Sequence, residues 1–138
     1  MSDSYKKIAF LGLAGSNSHM ACQLAHPALE AVSCAGFEDV FTAVREGRAD
    51  LAMIPVDNNL AGRVADVHQL LPKAGLFVVG EYFLPIRFAL LAPRGAQPAG
   101  LKKVYSHAHA FPQCRAVIKK YGLEPQIFSD TAAAARHV

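Results

Sequence analysis

Three places along the chain set short hydrogen-bonding side chains between an apolar run and an amphipathic one: Ser16-Asn17-Ser18-His19, Asp57-Asn58-Asn59 and Ser106-His107. In a chain that alternates strands with helices, these are strand ends followed by helix starts. Such junctions gather at the carboxyl edge of a parallel sheet, where ligands bind. The unpaired N–H groups of a helix's first turn, with the positive end of its dipole, receive carboxylate or phosphate. Ser, Asn and neutral His add donors without adding full charge. Asp57 does not suit an anion and is expected to face a hydroxyl or a cation. The same residue types are also ordinary N-caps, so each junction alone has a purely structural reading.

Other chemistries fit less well. Gly12-x-x-Gly15 is too short for a dinucleotide fingerprint and lacks the Lys of a phosphate loop, so it reads as a tight turn. His107-x-His109 has no Cys, Asp or Glu at ligand spacing; a surface turn, not a metal site, is expected there. Ser106, His19 and Asp57 are the residue types of a hydrolytic triad, but no G-x-S-x-G accompanies them. Cys22 and Cys114 fall on apolar helical faces and read as small core residues. Arg63 and Arg87 are either anion partners or solvated cations. Gln113, one turn into its helix, faces either a site or water.

The elements that would position these residues follow from hydrophobic spacing. IAFLGL (8–13) is a short buried strand, and HMACQLAHPALEAV reads as a helix disturbed at Pro27. A second strand is expected over 32–37. Phe37, Val40, Phe41 and Val44 fall at i, i+3, i+4 and i+7, a helix stopped near Gly47. ADLAMIPV (49–56) gives a third strand, and Val64, Val67 and Leu71 mark a helical face ended by Pro72. Residues 76–92 are expected to form one or two strands with Pro85 at an edge. A strand over 102–106, a helix over 109–121 stopped by Gly122, a strand over 125–129 and a helix capped by Asp130 or Thr131 complete the chain. This alternation predicts an α/β fold with mostly parallel sheets. The expected division is a first lobe over 1–78, crossing strands over 79–92 and a partial second lobe over 93–138, with a cleft between the lobes.

Composition narrows the function classes. Of 138 residues, 52% are apolar and 18% charged, enough to bury a core without metal or disulfides. The net charge of +3 comes from scattered basic residues rather than a stripe, which argues against a nucleic-acid groove. Cysteines at 22, 34 and 114, with no C-x-x-C, argue against a disulfide framework and fit a reducing, cytoplasmic setting. Lys6-Lys7 and the apolar run after them have the order of a secretory leader. That run is short and broken at Gly12, so the first strand is the expected reading. The apolar stretch 76–92 is interrupted by Glu81, Pro85 and Arg87, and no membrane span is expected.

At these same junctions the chain resembles the prephenate dehydratase family. IAFLGLAGSNSHMAC is similar to the family's opening strand, Gly-x-x-Gly turn and Ser-His helix start. MIPVDNNLAGRV is similar to its Pro-Ile-Glu-Asn-Ser/Thr-x-x-Gly segment, and GEYFLPIRFALLAP to its crossing strand. VYSHAHAFPQC resembles Val-Tyr-Ser-His…Gln-Cys, and DTAAAARHV the helix after the fifth strand. The five pieces run in order over residues 8–138. The resemblance implies a two-lobed fold like that of type II periplasmic binding proteins. It also implies conversion of prephenate to phenylpyruvate with loss of water and carbon dioxide, with no cofactor and no metal. It places Ser106, Gln113 and Asp57 as catalytic residues and Ser16, Ser18, His19, Asn58, Asn59 and His107 as substrate-binding ones. A homo-oligomer is implied as well.

The chain departs from the family pattern in several places. Asp57 stands where the family has Glu, one methylene shorter, and Asn59 where it has Ser or Thr. Ser16-Asn17-Ser18-His19 replaces Thr-Phe-Ser-His. The family's Thr-Arg-Phe motif, whose Thr is implied as proton donor, has no counterpart around Thr42 or Thr131, the two threonines present. On the same resemblance, the phenylalanine-sensing ACT domain is expected to be missing as well. The expectation is a dehydratase chain lacking the end of its second lobe, with little or no activity alone. Two other readings stay open: an anion-binding domain without turnover, and an assembly piece with no ligand.

Overall fold

The computed structural model describes residues 5–59 and 61–138. β1 (Lys7–Leu11) is the middle strand of a three-stranded sheet of order β2–β1–β3, with β2 (Glu30–Cys34) and β3 (Leu51–Met53) both parallel to it. Side chains alternate across a strand, so β1 feeds two cores at once. Ala9 packs with Cys34, Val40, Ala43 and Ala49 on one face, while Ile8 and Phe10 pack with Cys22 on the other. Helix α1 (Asn17–Ala25) supplies Cys22 and helix α2 (Phe37–Arg45) supplies Val40 and Ala43, so each face of the sheet has its helix. This is why β1 reads as an unbroken apolar run: a strand covered on both faces has no polar side.

Where α1 ends, the structure departs from the sequence reading. The helix stops at Ala25 with His26 as its C-cap, and the chain is already in β2 at Glu30, two residues before the expected second strand. Pro27 is the physical reason, since the residue before a proline avoids helical geometry. α2 and its stop at Gly47, where φ is +71°, agree with the apolar spacing.

Asp57-Asn58-Asn59 does not begin a helix. Asp57–Asn58 is β4, paired antiparallel with β5 (Gly62–Arg63) in a hairpin, with Asp57 opposite Arg63 and Asn58 opposite Gly62. Gly62, at φ +80°, lets the chain return. Helix α3 (Ala65–Leu70) starts only after Val64, and a 3-10 turn over Leu71–Lys73 carries Pro72 in its first positions.

Residues 76–92 make neither helix nor strand, against the expectation of one or two strands. Apolar, β-rich sequence is a strand only when a partner takes its backbone hydrogen bonds, and no ladder among the described residues includes this stretch.

After a 3-10 turn over Pro98–Gly100, β6 (Lys103–Ser106) and β7 (Glu124–Ile127) form a second parallel sheet. Their crossover is not the single helix expected over 109–121. A 3-10 segment, Ala108–Cys114, contains Pro112, and helix α4 (Arg115–Tyr121) begins only beyond it. Pro112 has no N–H to give an α-helical ladder. Gly122 closes α4 in the left-handed conformation, as expected. Helix α5 (Thr131–His137) is capped by Asp130, whose Oδ1 accepts the Ala133 N–H at 2.7 Å. Tyr105 of β6, Phe128 and His137 cluster with ring centroids 4.9–5.8 Å apart, Tyr105 meeting both other rings edge-on.

The chain divides into two units: Met1–Asn58 with Gly62–Ile86, and Asn59–Ala61 with Arg87–Val138. No helix among the described residues is long and apolar enough to cross a membrane.

Candidate functional site

In the first unit, the turn between β1 and α1 is built by two glycines and closed by two side chains. Gly12 and Gly15 have φ of +100° and +88°, a region L side chains rarely enter. The Gly12 N–H continues the sheet by bonding the Cys34 carbonyl at 3.0 Å, and the Ser33 hydroxyl donates to the Gly12 carbonyl. The end of β2 therefore fixes the start of the turn. Nothing in the sequence marks Ser33 for this; it is the outward residue of a strand.

The turn's far end is a reciprocal cap. Ser16 Oγ accepts the His19 N–H at 3.3 Å, and His19 Nδ1 accepts the Gly15 N–H at 3.1 Å. The logic is that of a capping box, with imidazole in place of Glu or Gln. With Nδ1 accepting, the proton of neutral His19 sits on Nε2. The ring also lies 5.2 Å from that of Phe10, which holds it against the sheet. Asn17 and Ser18 contribute the first-turn N–H groups, ahead of the helical ladder. Ser16, Ser18 and His19 are half-buried and Asn17 is exposed. Ser16 thus spends its oxygen on the cap and keeps a hydroxyl proton to donate.

The β4–β5 hairpin carries Asp57 and Asn58. Asp57 is exposed, and its Oδ1 accepts the Asn58 N–H at 2.7 Å. The hairpin is held at its base by the Val56 carbonyl, which takes the Val64 N–H at 3.1 Å and lies 3.2 Å from His68 Nε2. A carbonyl can only accept, so His68 Nε2 is the donor there. Asp57 keeps one carboxylate oxygen for a hydroxyl or a cation.

The second unit places Ser106, His107 and Gln113 together around the 3-10 segment after β6. Ser106 is half-buried at the strand end, and its carbonyl accepts the Phe128 N–H at 2.8 Å. His107 caps the segment: its Nδ1 accepts the His109 N–H at 3.3 Å, and the two imidazoles meet edge-on with centroids 5.0 Å apart. Gln113 Nε2 donates to the His109 carbonyl at 3.0 Å, which leaves its amide oxygen and second N–H available. Asn59 belongs to this unit and is exposed. The two units thus separate Ser16, Ser18, His19, Asp57 and Asn58 from Asn59, Ser106, His107 and Gln113.

The thiols stay out of this chemistry. Burial pushes Cys22 up to about 11 and raises Cys34 and Cys114 as well. No group of three or more His, Cys, Asp or Glu among the described residues is placed to hold a metal ion. The donors that remain at the strand ends (backbone N–H, hydroxyl, imidazole Nε2–H, amide) are those that hydrogen-bond carboxylates.

Comparison with known proteins gives this arrangement a family. Residues 8–138 match the prephenate dehydratase family. A bifunctional N-acyl-homoserine lactone acylase/prephenate dehydratase of Komagataeibacter europaeus is 44% identical over 131 residues, covering 95% of this chain and 47% of that protein. Arogenate dehydratase 2 of Petunia hybrida is 38% identical over 132 residues, covering 96% of this chain and 34% of its own length. The crystal structure of a prephenate dehydratase from Arthrobacter aurescens in complex with L-Phe superposes with a TM-score of 0.86 at 28% identity, over 94% of this chain and 45% of that one. The chain therefore spans half or less of the relatives it matches. It belongs to the prephenate dehydratase family.

Proposed function

We propose that this chain carries substrate-binding machinery of a prephenate dehydratase, in two lobes of the type II periplasmic-binding-protein kind. The family match over residues 8–138 carries this reading. The strand-end chemistry supports it: prephenate has two carboxylates and a ring hydroxyl, and the strand ends offer neutral donors with one carboxylate. Ser18, His19 Nε2–H and the Asn17 and Ser18 amides receive one carboxylate, with Ser16 as capping residue and hydroxyl donor. His107, Asn58 and Asn59 complete the binding.

The reaction breaks the ring C–CO2 bond, and its electron pair enters the ring as the C–OH bond breaks. Hydroxide leaves and takes one proton from solvent, so the products are phenylpyruvate, water and carbon dioxide. Electrons stay within the substrate, so the balance requires no redox partner. Ser106 and Gln113 hydrogen-bond the departing oxygen while negative charge develops on it, where such donors contribute most. Asp57, in the first unit, keeps one carboxylate oxygen that can accept from a substrate hydroxyl. Arogenate, with an amino group in place of the keto oxygen, offers the same carboxylates and hydroxyl.

The test is to incubate the chain with prephenate and, separately, with arogenate. Phenylpyruvate is followed by its ultraviolet absorbance, phenylalanine by chromatography and binding by calorimetry. Saturable binding with slow product formation, reduced about 10²-fold by Ser106→Ala, is expected. Absence of both heat and product with either acid contradicts the proposal. Heat without product selects the anion-binding reading.

A further inference from the structure

The hairpin that carries Asp57 also carries Arg63, which the sequence marks as an anion partner or a solvated cation and which the proposed site does not use. Asp57 and Arg63 are directly opposite, and Asn58 faces Gly62. One step earlier the Val64 N–H bonds the Val56 carbonyl, so Asp57 and Arg63 form the non-hydrogen-bonded pair that follows. Residues opposite one another put their side chains on the same face, and in such a pair the side chains lie closest. A hairpin this short is marginal alone. The bond from His68 Nε2 to the Val56 carbonyl ties it to α3 and fixes that register. Residues 56–58 and 62–68 all belong to the first unit. The Arg63 guanidinium is nevertheless unspent. Ion pairs among the described residues join Lys7 to Glu30 and Arg48 to Asp39 and Glu46, and none includes Arg63. Asp57 uses its Oδ1 on the Asn58 N–H instead.

We infer that Arg63 is the cation of the proposed site, and that its guanidinium binds the side-chain carboxylate of the substrate beside the free oxygen of Asp57. The inference rests on the substrate reading above. Prephenate brings two carboxylates to a donor set that is neutral apart from Asp57, itself negative, and like charges in one site repel. Arg63 is the counter-charge that the hairpin register places on the face of Asp57. Its planar fork of donors fits a carboxylate in two parallel hydrogen bonds. The chemistry selects which carboxylate it takes. The ring carboxylate departs as carbon dioxide and loses its charge on the way, so a cation bound to it would hold back the reaction. The side-chain carboxylate keeps its charge through to phenylpyruvate, and a cation on it binds substrate, transition state and product alike. Arg63 therefore contributes affinity rather than rate.

Calorimetry of the full chain with prephenate and with phenylpyruvate tests it. Arg63→Gln is expected to weaken binding of both about tenfold, as the loss of a charge-assisted hydrogen bond does, and to make binding less sensitive to salt. Arg63→Lys should recover the affinity to within about threefold. Circular dichroism and the urea midpoint should be unchanged in both variants. Arg45→Gln removes the same charge from α2, where Arg45 bonds Thr42, and should leave both affinities as they are. If Arg63→Gln binds both acids as tightly as the unaltered chain, or loses no more than Arg45→Gln does, the inference is overturned and the substrate reading stands. A loss for prephenate with phenylpyruvate unaffected would move Arg63 to the ring carboxylate and overturn it as well. No heat from either acid with the unaltered chain contradicts the substrate reading and this inference together.

Discussion

His19 Nδ1 accepts the N–H of Gly15 at 3.1 Å, so a side chain inside α1 holds the turn that precedes the helix. The other ring nitrogen, Nε2, is left to donate outward, and the two nitrogens have separable jobs. Asn reproduces an acceptor near Nδ1, whereas Gln reaches the position of Nε2. His19→Asn is expected to keep the urea midpoint while weakening prephenate binding about tenfold. His19→Gln is expected to lose about 1 kcal/mol of stability, the ordinary worth of one hydrogen bond, with a smaller loss of binding. Urea unfolding and calorimetry on both variants check the division.

The backbone of the same turn is tested by Gly15→Ala. No atom lies within 4 Å of where a Cβ would stand, so sterics are not the issue. The cost comes from φ of +88° and is expected at about 1–2 kcal/mol. Thermal unfolding measures it. An unchanged midpoint would mean that the turn readily takes another conformation.

Much of this arrangement was legible in the sequence because local rules and burial agree there. β1, α2, the Gly122 stop and the Asp130 cap each follow from spacing or from one residue's conformational preference. The reading failed where a partner decides the outcome. Asp57-Asn58 has the composition of a helix cap, yet pairs with Gly62-Arg63 as a hairpin. Residues 76–92 have strand composition without a ladder, because composition does not supply the neighbouring strand. Ser16 and His19 stood out in the sequence as candidates, but their mutual capping was not legible, because it depends on two positive-φ glycines acting together.

Thiol reactivity follows burial. Cys22 is 1% exposed with its thiol raised to about 11, and Cys34 is buried as well. Cys114 is only half-buried. At pH 8 an aromatic disulfide reagent is expected to modify Cys114 first, with Cys22 and Cys34 reacting only after urea is added. Peptide mass spectrometry identifies the order; rapid labelling of Cys22 in the folded chain would contradict its place between α1 and the sheet.

Acid stability should report two carboxylates. Asp50 accepts the Lys6 and Lys7 N–H groups at 2.8 and 2.9 Å, and these bonds hold its carboxyl below the usual range. Arg48 does the same for Asp39. A carboxylate with a depressed pKa contributes stability above its unfolded pKa and loses it as pH falls through the folded value. The urea midpoint should therefore hold from pH 7 to about 5 and fall below about pH 4. Asp50→Asn should flatten part of that fall, and an unchanged pH profile would show that the contact to Lys6 and Lys7 contributes nothing.

The most direct test of the substrate reading is an amide NMR titration of the chain with prephenate. Saturable, one-to-one shifts at Asn17, Ser18 and His19 and at Ser106 and His107 are predicted, with the α5 amides unmoved. Shifts confined to other residues, or none at millimolar prephenate and arogenate, would contradict the assignment of these strand ends to a dicarboxylate.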